Sequence, residues 1–396
     1  MKQRTIILGI GVLIALAVSG IYGYRLYGNY CKQGKRDDTF SEKMQTDSIL
    51  QIKGSKHLLM DDWGYPTAGL IRYHEFKGKS CLIQGNVNQK TIEVYDYMSG
   101  NKQMTVGTKH TNGEFFAYSS DTALVITNAR GKSTVHMWIA GKNTSIDVAV
   151  SVRNGCVEQY PRCRDGAAYL NGKWYFPCFR LGEYPVEMQS GKDRFPLLEV
   201  DMANREYKFV GAYPEIYAHN NMGTLNYWVP TLCRGKNDGE VLVGFPASPE
   251  MLRYSPDTGE SLFVSVKSEY ADTIPLPLTE KGRNYFNESD SYYYFAQYTH
   301  YGPISYDPWR DVYYRFVGIG LNDWKLDPSP LLQNQKSWSV MVFDSSFKKS
   351  GEQFMGKEYD INFHFVSPDG LFVLNKDDNE DVATYTLFEY VKKVDR

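Results

Sequence analysis

The sequence lacks the features that identify most enzyme classes and most disulfide-rich scaffolds. Its six cysteines are too sparse in 396 residues to form a disulfide framework, and no pair has the C-x-x-C spacing of a zinc site. It contains no P-loop, no G-x-S-x-G turn, no H-E-x-x-H and no EF-hand loop. The sequence therefore predicts no catalytic residue, no metal site and no cofactor, and we favour a protein that is not an enzyme.

An excess of charge of one sign is also missing. The 44 basic and 46 acidic residues give a net charge of −2, so the chain has no overall basic character and nucleic acid is not an expected partner. Aromatic residues are abundant instead, with 31 Tyr and 20 Phe. Rings of this kind fit the pleated, half-buried surface of a strand, which favours a β-rich fold.

The N-terminus carries the longest apolar run. Lys2 and Arg4 precede an uncharged, mostly apolar segment, residues 5–24, which is about the length needed to span a bilayer. This pattern predicts an export signal or a membrane anchor at residues 1–24, a polar linker at 25–45 and a folded body at 46–396. We therefore expect the body to be exported to the periplasm or cell surface. It would stay attached to the membrane if the segment is not cleaved.

Beyond residue 45 the sequence has almost no helical periodicity, and short alternating runs are separated by Gly, Asp, Asn and Pro. A strand–turn–strand unit recurs at 92–106, 135–150, 196–211, 250–265 and 339–354. Tighter hairpins precede several of these units, at 117–127 and 365–374, and residues 166–177 form a looser version. An inner hairpin followed by an outer hairpin makes a four-stranded antiparallel sheet, the repeating blade of a β-propeller.

About 350 residues accommodate roughly six such sheets, so the sequence predicts an all-β, six-bladed β-propeller, with seven blades as the alternative. The last blade lacks a strand after residues 381–391, and residues 48–54 are expected to supply it and so close the ring. A large sandwich or two smaller β-domains compete with this prediction. No Pro-, Gly- or Ser-rich linker divides the body, which favours one domain.

The segment HYGPISYDPWRDVYYRF, residues 300–316, combines acidic, basic and aromatic residues and resembles an active site at first sight. Its turn residues align with the inner hairpins above, so we interpret it as the inner hairpin of the fifth blade. Asp307 and Pro308 then form the turn, and Asp311 begins the returning strand. Alternation places Val312 and Tyr314 on one face of that strand.

Three long connections, at 181–194, 268–293 and 319–337, interrupt the repeats and predict a binding face around the third to fifth blades. Three histidines fall near expected innermost strands, where they would either approach the central channel and a metal ion or bond within their own blades. These are His219, His300 and His364. The aromatic residues in or near the long connections offer a surface for stacking on sugars; they are Tyr285, Tyr292, Tyr293, Trp309 and Trp324. The candidate ligand-binding residues are His219, Asn220, Tyr292, His300, Tyr301 and Trp324.

The leader together with the segments at 301–317, 337–347 and 365–390 resembles an uncharacterised family of exported, TolB-like six-bladed β-propellers from anaerobic Gram-negative bacteria. Many members are lipoproteins, but Tyr30 stands before Cys31, where a lipoprotein needs a small residue. The resemblance implies the fold and an envelope location, and almost nothing about function. We expect a non-catalytic binding or assembly module with a glycan or an envelope protein as its partner. A propeller hydrolase or lyase acting on a carbohydrate or lactone, with or without a metal, is the alternative.

Overall fold

A computed structural model describes most of the chain from Ile49 onward. The described residues are 49–60, 70–76, 78–108, 112–129, 131–142, 144–151, 153–154, 157–164, 166–180, 194–218, 225–236, 239–271, 294–321, 336–376 and 381–392. The predicted leader and linker lie outside these ranges, so they remain predictions. Within the described part of the chain, no helix has the length and apolar character needed to cross a membrane.

The described residues form six antiparallel sheets arranged as the blades of a β-propeller, which confirms the predicted fold. Blade 1 contains β2 (Ile71–Phe76), β3 (Lys79–Asn86), β4 (Thr91–Asp96) and β5 (Lys102–Gly107). Blade 2 contains β6 (Glu114–Ala117), β7 (Thr122–Ala129), β8 (Lys132–Ile139) and β9 (Thr144–Ser151). Blade 3 contains β10 (Arg153–Asn154), β11 (Val157–Pro161), β12 (Ala168–Leu170), β13 (Lys173–Arg180), β14 (Leu197–Asp201) and β15 (Glu206–Val210).

The second half of the ring repeats this plan. Blade 4 contains β16 (Thr231–Arg234), β17 (Val241–Gly244), β18 (Glu250–Tyr254) and β19 (Ser261–Ser265). Blade 5 contains β20 (His300–Asp307), β21 (Val312–Gly318), β22 (Trp338–Asp344) and β23 (Lys349–Gly356). Blade 6 contains β24 (Tyr359–Ser367), β25 (Gly370–Asn375), β26 (Val382–Tyr390) and, from the other end of the chain, β1 (Leu50–Leu59). A short helix (Glu215–Ala218) and two 3-10 turns (Ala140–Lys142 and Leu225–Tyr227) are also described.

The ring closes through β1, which pairs antiparallel with β26 and completes blade 6 as predicted. The observed strand begins at Leu50 and is longer than the predicted segment. Closure of this kind gives the final strand of the last blade a hydrogen-bonded neighbour, and it joins the two ends of the described chain in one sheet.

Burial follows the position of a strand within its blade. The second strands β17 and β21 are buried at every position, because neighbouring blades cover both of their faces. The outermost strands β5 and β19 are mostly exposed. Val312 and Tyr314 pack into one apolar cluster and Tyr313 into another, which confirms the predicted alternation along β21.

Aspartates form the outer-hairpin turns, as the sequence predicts. The Asp96 carboxylate accepts a hydrogen bond from the Ser99 amide at 2.7 Å, and Asp201 accepts one from the Asn204 amide at 2.9 Å. Asp307 forms the inner turn of blade 5 in the same way. One detail was wrong: Asp311 lies in the turn with φ of 54°, and β21 begins at Val312.

Blade 3 departs from the regular plan. Its innermost position is divided between β11 and β12, which both pair with β13 at different heights. Residues 162–167 lie between these two strands. The sequence predicts a looser inner hairpin here, but it does not predict the break, because the break depends on a carboxylate from blade 2.

Candidate functional site

The innermost strands enclose a central cavity of about 1450 Å³, called the channel below. Strands β2, β16, β20 and β24 contribute to its wall, together with the break in blade 3. Drug-sized ligands occupy pockets of roughly 300–1,000 Å³, so the channel has room for a ligand larger than a single sugar. It is much larger than the cavity of about 210 Å³ described below, and its wall is formed by the innermost strands, so it is the candidate functional site.

The wall of the channel is basic although the chain as a whole is slightly acidic. One carboxylate, Asp360, lies among the wall residues that the structure describes. Six cationic side chains accompany it: Arg72, Arg162, Arg164, Arg234, Lys236 and Lys376. An excess of one sign of charge in a cleft focuses the electrostatic potential, so the described part of the wall favours anions.

Arg72 lies on β2 and reaches across to blade 2. Its Nη2 donates to the main-chain carbonyls of Ala117 and Tyr118, and its guanidinium carbon lies 4.5 Å from the centre of the Phe116 ring. Burial lowers the pKa of Arg72 to about 10, which leaves the group charged at neutral pH. No described carboxylate forms an ion pair with it, so its positive charge remains uncompensated.

The break in blade 3 places two more arginines in the channel wall. Glu114 at the start of β6 accepts hydrogen bonds from the Cys163 amide at 2.9 Å and the Arg164 amide at 3.3 Å. The same carboxylate accepts from Arg162 Nε at 3.1 Å, which neutralises that side chain. Arg164 is exposed and forms no ion pair with a described residue. Glu114 therefore fixes the break and leaves the charge of Arg164 available.

A smaller cavity of about 210 Å³ adjoins the wall. Arg72 of blade 1 and Arg234 of blade 4 line both cavities, so both arginines lie at the boundary between the channel and the smaller cavity. Tyr73, Tyr118 and Tyr169 line the smaller cavity with them. Lys236 also lies in the channel wall, but its ammonium group forms an exposed ion pair with Asp311.

His300 is buried in the wall and its neighbours hold it. Its Nδ1 lies 3.0 Å from Nζ of the fully buried Lys336, which also donates to the carbonyls of Phe295 and Tyr298. Burial lowers the pKa of His300 well below its ordinary value, and the nearby Lys336 lowers it further. His300 is therefore neutral at pH 7, and its bond to Lys336 uses one of its two ring nitrogens.

His364 is held in a similar way at the junction of blades 5 and 6. Its Nδ1 lies 2.7 Å from the Ile361 carbonyl and its Nε2 lies 2.7 Å from Ser305 Oγ. Burial lowers its pKa to about 4. His219, the third of the histidines expected near innermost strands, lies outside the described residues. Among the described residues no group of three or more His, Cys, Asp or Glu side chains is placed to hold a metal ion.

The structure describes two of the six predicted ligand-binding residues, His300 and Tyr301. Tyr301 also lines the channel, but its side chain is 2% exposed and its ring lies 4.2 Å from the Arg315 guanidinium carbon. Its hydroxyl accepts a hydrogen bond from the Ser268 amide at 3.3 Å. The other four lie outside the described residues: His219, Asn220, Tyr292 and Trp324. The assignment of these six residues to a binding site therefore stays a prediction.

Trp309 lies elsewhere than predicted. It occupies the short turn between β20 and β21, whereas the long connections join the strands at the opposite end of blade 5. It is 47% exposed, it lines the channel, and its ring meets Tyr73 edge-on at 5.5 Å. An exposed aromatic surface is thus present in the channel wall, but at the end away from the long connections.

The arginines of the channel wall were not predicted from the sequence. A pair of arginines beside Gly166 was the available signal, in the stretch PRCRDG at 161–166. Arg72 and Arg234 sit in ordinary alternating strands, and only the blade register shows that those strands are innermost. The alternation of apolar and polar residues identifies a strand, but it does not distinguish the channel side of a blade from its outer side.

Comparisons with known proteins agree on the fold and leave the function open. Residues 184–354 match the model of a family described as a domain of unknown function, DUF4221. No curated protein matches the chain. The structure of a DUF4221 member from Bacteroides vulgatus superimposes with a TM-score of 0.69 at 18% identity, covering 87% of this chain and 98% of that one. The major allergen Mala s 1 of Malassezia sympodialis gives 0.48 at 10% identity, covering 86% and 97%.

At 18% identity, the likeness to the Bacteroides structure shows the fold alone. The lower score of the allergen adds nothing to that. The chain is thus a six-bladed β-propeller whose residues 184–354 are similar to a family of unknown function.

Proposed function

We propose that this protein is an exported, non-catalytic binding module of the cell envelope, and that a glycan occupies its central channel. The observation that carries the proposal is the channel itself, a cavity of about 1450 Å³ with polar, cationic and aromatic side chains in its wall. Ser305 and Asn362 have hydrogen-bonding groups and line the same channel as the exposed ring of Trp309. Sugars present hydroxyl edges and flat apolar faces, which match such a combination.

Export is supported by the sequence of the leader. Lys2 and Arg4 before the apolar residues 5–24 have the pattern of a signal or anchor, and the propeller follows a polar linker. The TolB-like resemblance points to the same compartment. A reporter active only outside the cytoplasm, fused after residue 45, tests this part. We expect activity with the native leader and none after Lys2 and Arg4 are replaced and the apolar run is interrupted by two aspartates.

Binding is tested with the full-length protein purified in detergent and applied to a glycan array, with a library of extended peptides in parallel. Binding to oligosaccharides that is weakened by Trp309→Ala supports the proposal. The matched aromatic control is Tyr207→Ala, which removes an exposed ring from the outer strand β15 and should leave binding unchanged. Binding to peptides without binding to any glycan would contradict the glycan ligand and indicate a protein partner instead.

One observation favours the enzymatic alternative. Asp360 is the carboxylate of the described channel wall, and burial raises its pKa, the direction expected of a carboxyl group that serves as a general acid. Its Oδ1 accepts hydrogen bonds from the Asn362 amide and side chain, both at 3.2 Å. Mass spectrometry of each bound oligosaccharide after incubation tests this alternative. Cleavage that is abolished by Asp360→Asn would identify a hydrolase or lyase, and an intact ligand supports the binding module.

A further inference from the structure

The charge of the channel wall restricts which glycan can bind. The described wall carries six cations and one carboxylate, in a chain whose net charge is −2. Two of the cations are neutralised locally, Arg162 by Glu114 and Lys236 by Asp311. Burial lowers the pKa of Lys376, and the charge of Asp360 offsets part of this effect. Three arginines then remain, Arg72, Arg164 and Arg234, and of these Arg72 and Arg164 have no described carboxylate partner.

Arg72 is positioned before any ligand arrives. Two main-chain carbonyls hold its Nη2, and the rings of Phe116 and Tyr118 flank its guanidinium carbon at 4.5 and 5.3 Å. Its buried Nε makes no hydrogen bond within the described part of the chain. A guanidinium fixed in this way loses little side-chain entropy when its charge attracts an anion to the channel wall.

Arg164 reaches the wall because Glu114 holds the break in blade 3 open. Its amide is bonded to that carboxylate at 3.3 Å, while the exposed side chain lines the channel. Arg234 adds a third guanidinium at the boundary of the two cavities, beside Arg72. The three arginines come from blades 1, 3 and 4, so a ligand that meets all of them must carry several separated anionic groups.

We propose that the ligand of the channel is an acidic oligosaccharide whose carboxylates bind the arginine group formed by Arg72, Arg164 and Arg234. This inference rests on the glycan-binding function proposed above. A carboxylate matches the fork of a guanidinium, and repeated uronic-acid units present carboxylates along a chain. The aromatic surface at Trp309 and Tyr73 lies in the same wall and would meet the apolar faces of the sugar rings.

The test uses full-length protein in detergent and an array of uronic-acid-containing, sulfated and neutral oligosaccharides. We expect binding to uronic-acid chains and none to their neutral, carboxyl-reduced forms. Arg164→Gln should weaken the binding of the best uronic-acid ligand about tenfold, which corresponds to about 1.4 kcal/mol. The matched control is Arg205→Gln, which removes the same charge from an exposed turn of blade 3 and should leave the dissociation constant unchanged.

Two further measurements separate binding from folding. Arg164→Lys keeps the charge but loses the planar fork, so it should weaken binding about threefold, less than Arg164→Gln. Both variants should keep the thermal midpoint of the wild type, because the Arg164 side chain is exposed. Raising sodium chloride from about 0.05 M to about 0.5 M should weaken ligand binding by the wild type more than binding by Arg164→Gln. Salt screens the attraction between Arg164 and the ligand, which the variant has already lost.

Each other outcome overturns a defined part of the proposal. Equal binding of acidic and neutral chains, with no effect of Arg164→Gln, would overturn the acidic ligand and leave the glycan-binding function intact. Binding confined to sulfated chains would overturn the carboxylate assignment. Binding of acidic peptides without any oligosaccharide would overturn both the ligand class and the glycan-binding function.

Discussion

Blades 5 and 3 are built on the same plan but differ at the innermost strand. In blade 5, β20 runs without a break from His300 to Asp307, and its turn is closed by a fully buried aspartate. In blade 3 the equivalent position is split between β11 and β12, and a glutamate of the neighbouring blade holds the intervening residues. The regular blade contributes uncharged and aromatic side chains to the channel wall, whereas the interrupted blade contributes charged ones.

The arginines of the two blades show the same difference. Arg315 on the second strand of blade 5 is fully buried and donates to the carbonyls of Phe245, Ser248 and Pro249, so it fastens blade 5 to blade 4. Arg164 in the break of blade 3 is exposed to the channel. Arg315 is not among the residues of the channel wall, and its role is structural. A cation that lies in the wall without a described carboxylate partner can instead bind a ligand.

The largest expected effect comes from the turn of blade 5. Asp307→Ala removes the acceptor of the Trp309 and Arg310 amides, both at 3.0 Å, and leaves Arg310 and the Tyr314 hydroxyl without their carboxylate. Breaking a buried ion pair by removing one partner costs about 3–5 kcal/mol. Urea unfolding followed by tryptophan fluorescence should show this loss. Asp307→Asn keeps a side-chain oxygen that can accept from these amides, so it should lose less unfolding free energy. A loss below about 1 kcal/mol for the alanine variant would show that this turn contributes little to the stability of the fold.

The break in blade 3 should respond locally to Glu114→Ala. This change removes the acceptor of the Cys163 and Arg164 amides and of Arg162 Nε, and we expect it to cost about 1–3 kcal/mol. Hydrogen–deuterium exchange should become faster at 162–167 and stay unchanged at 300–316. Faster exchange in both segments would show that the two blades are not independent.

The pH dependence of stability tests the buried histidine between blades 5 and 6. The pKa of His364 is lowered to about 4 by burial, against about 6.5 in an unfolded chain. The unfolded state therefore binds a proton first, so the contribution of His364 is complete above pH 6.5 and is lost as the pH falls toward 4. At its steepest the loss is about 1.4 kcal/mol per pH unit. Urea unfolding at pH 7, 6 and 5 should show a smaller slope for His364→Gln, and equal slopes would exclude His364 as the source.

The smallest expected effect is at the exposed ion pair beside the blade 5 turn. The side chains of Lys236 and Asp311 are 43% and 47% exposed, so Lys236→Met should change the free energy of unfolding by about 0–1 kcal/mol. The Lys236 amide still donates to the Tyr313 hydroxyl at 2.7 Å in this variant. A larger loss of unfolding free energy, measured by urea unfolding, would show that this surface ion pair stabilises blade 5 in addition to its buried turn.

The sequence was sufficient to predict the hairpins, because their signals are local. Alternation marks the strands, and residues such as Asp96, Asp201 and Asp307 close turns by bonding amides two or three positions ahead. The closing strand was predicted from the unpaired edge of the last blade. The break in blade 3 was not predicted, because Glu114 lies some fifty residues before Arg164 and nothing local connects them.

The candidate site shows where local patterns stop being informative. His300 and Tyr301 were selected from the sequence for their place at the start of an innermost strand, and both line the channel, with their side chains packed into the wall. The arginine group was not predicted from the sequence, because its members are far apart along the chain and belong to three blades. Only closure of the ring brings the channel sides of those blades to one cavity.

By itself the sequence determined the β-propeller, the hairpins and the strand that closes it, since alternation, turn chemistry and repetition act over a few residues. Tertiary structure decided that, in a chain with a net charge of −2, cationic side chains outnumber carboxylates among the described residues of the channel wall. The physical reason is that the ring turns one edge of each blade inward. The sign of the potential there depends on which side chains share that small volume, and not on the overall composition.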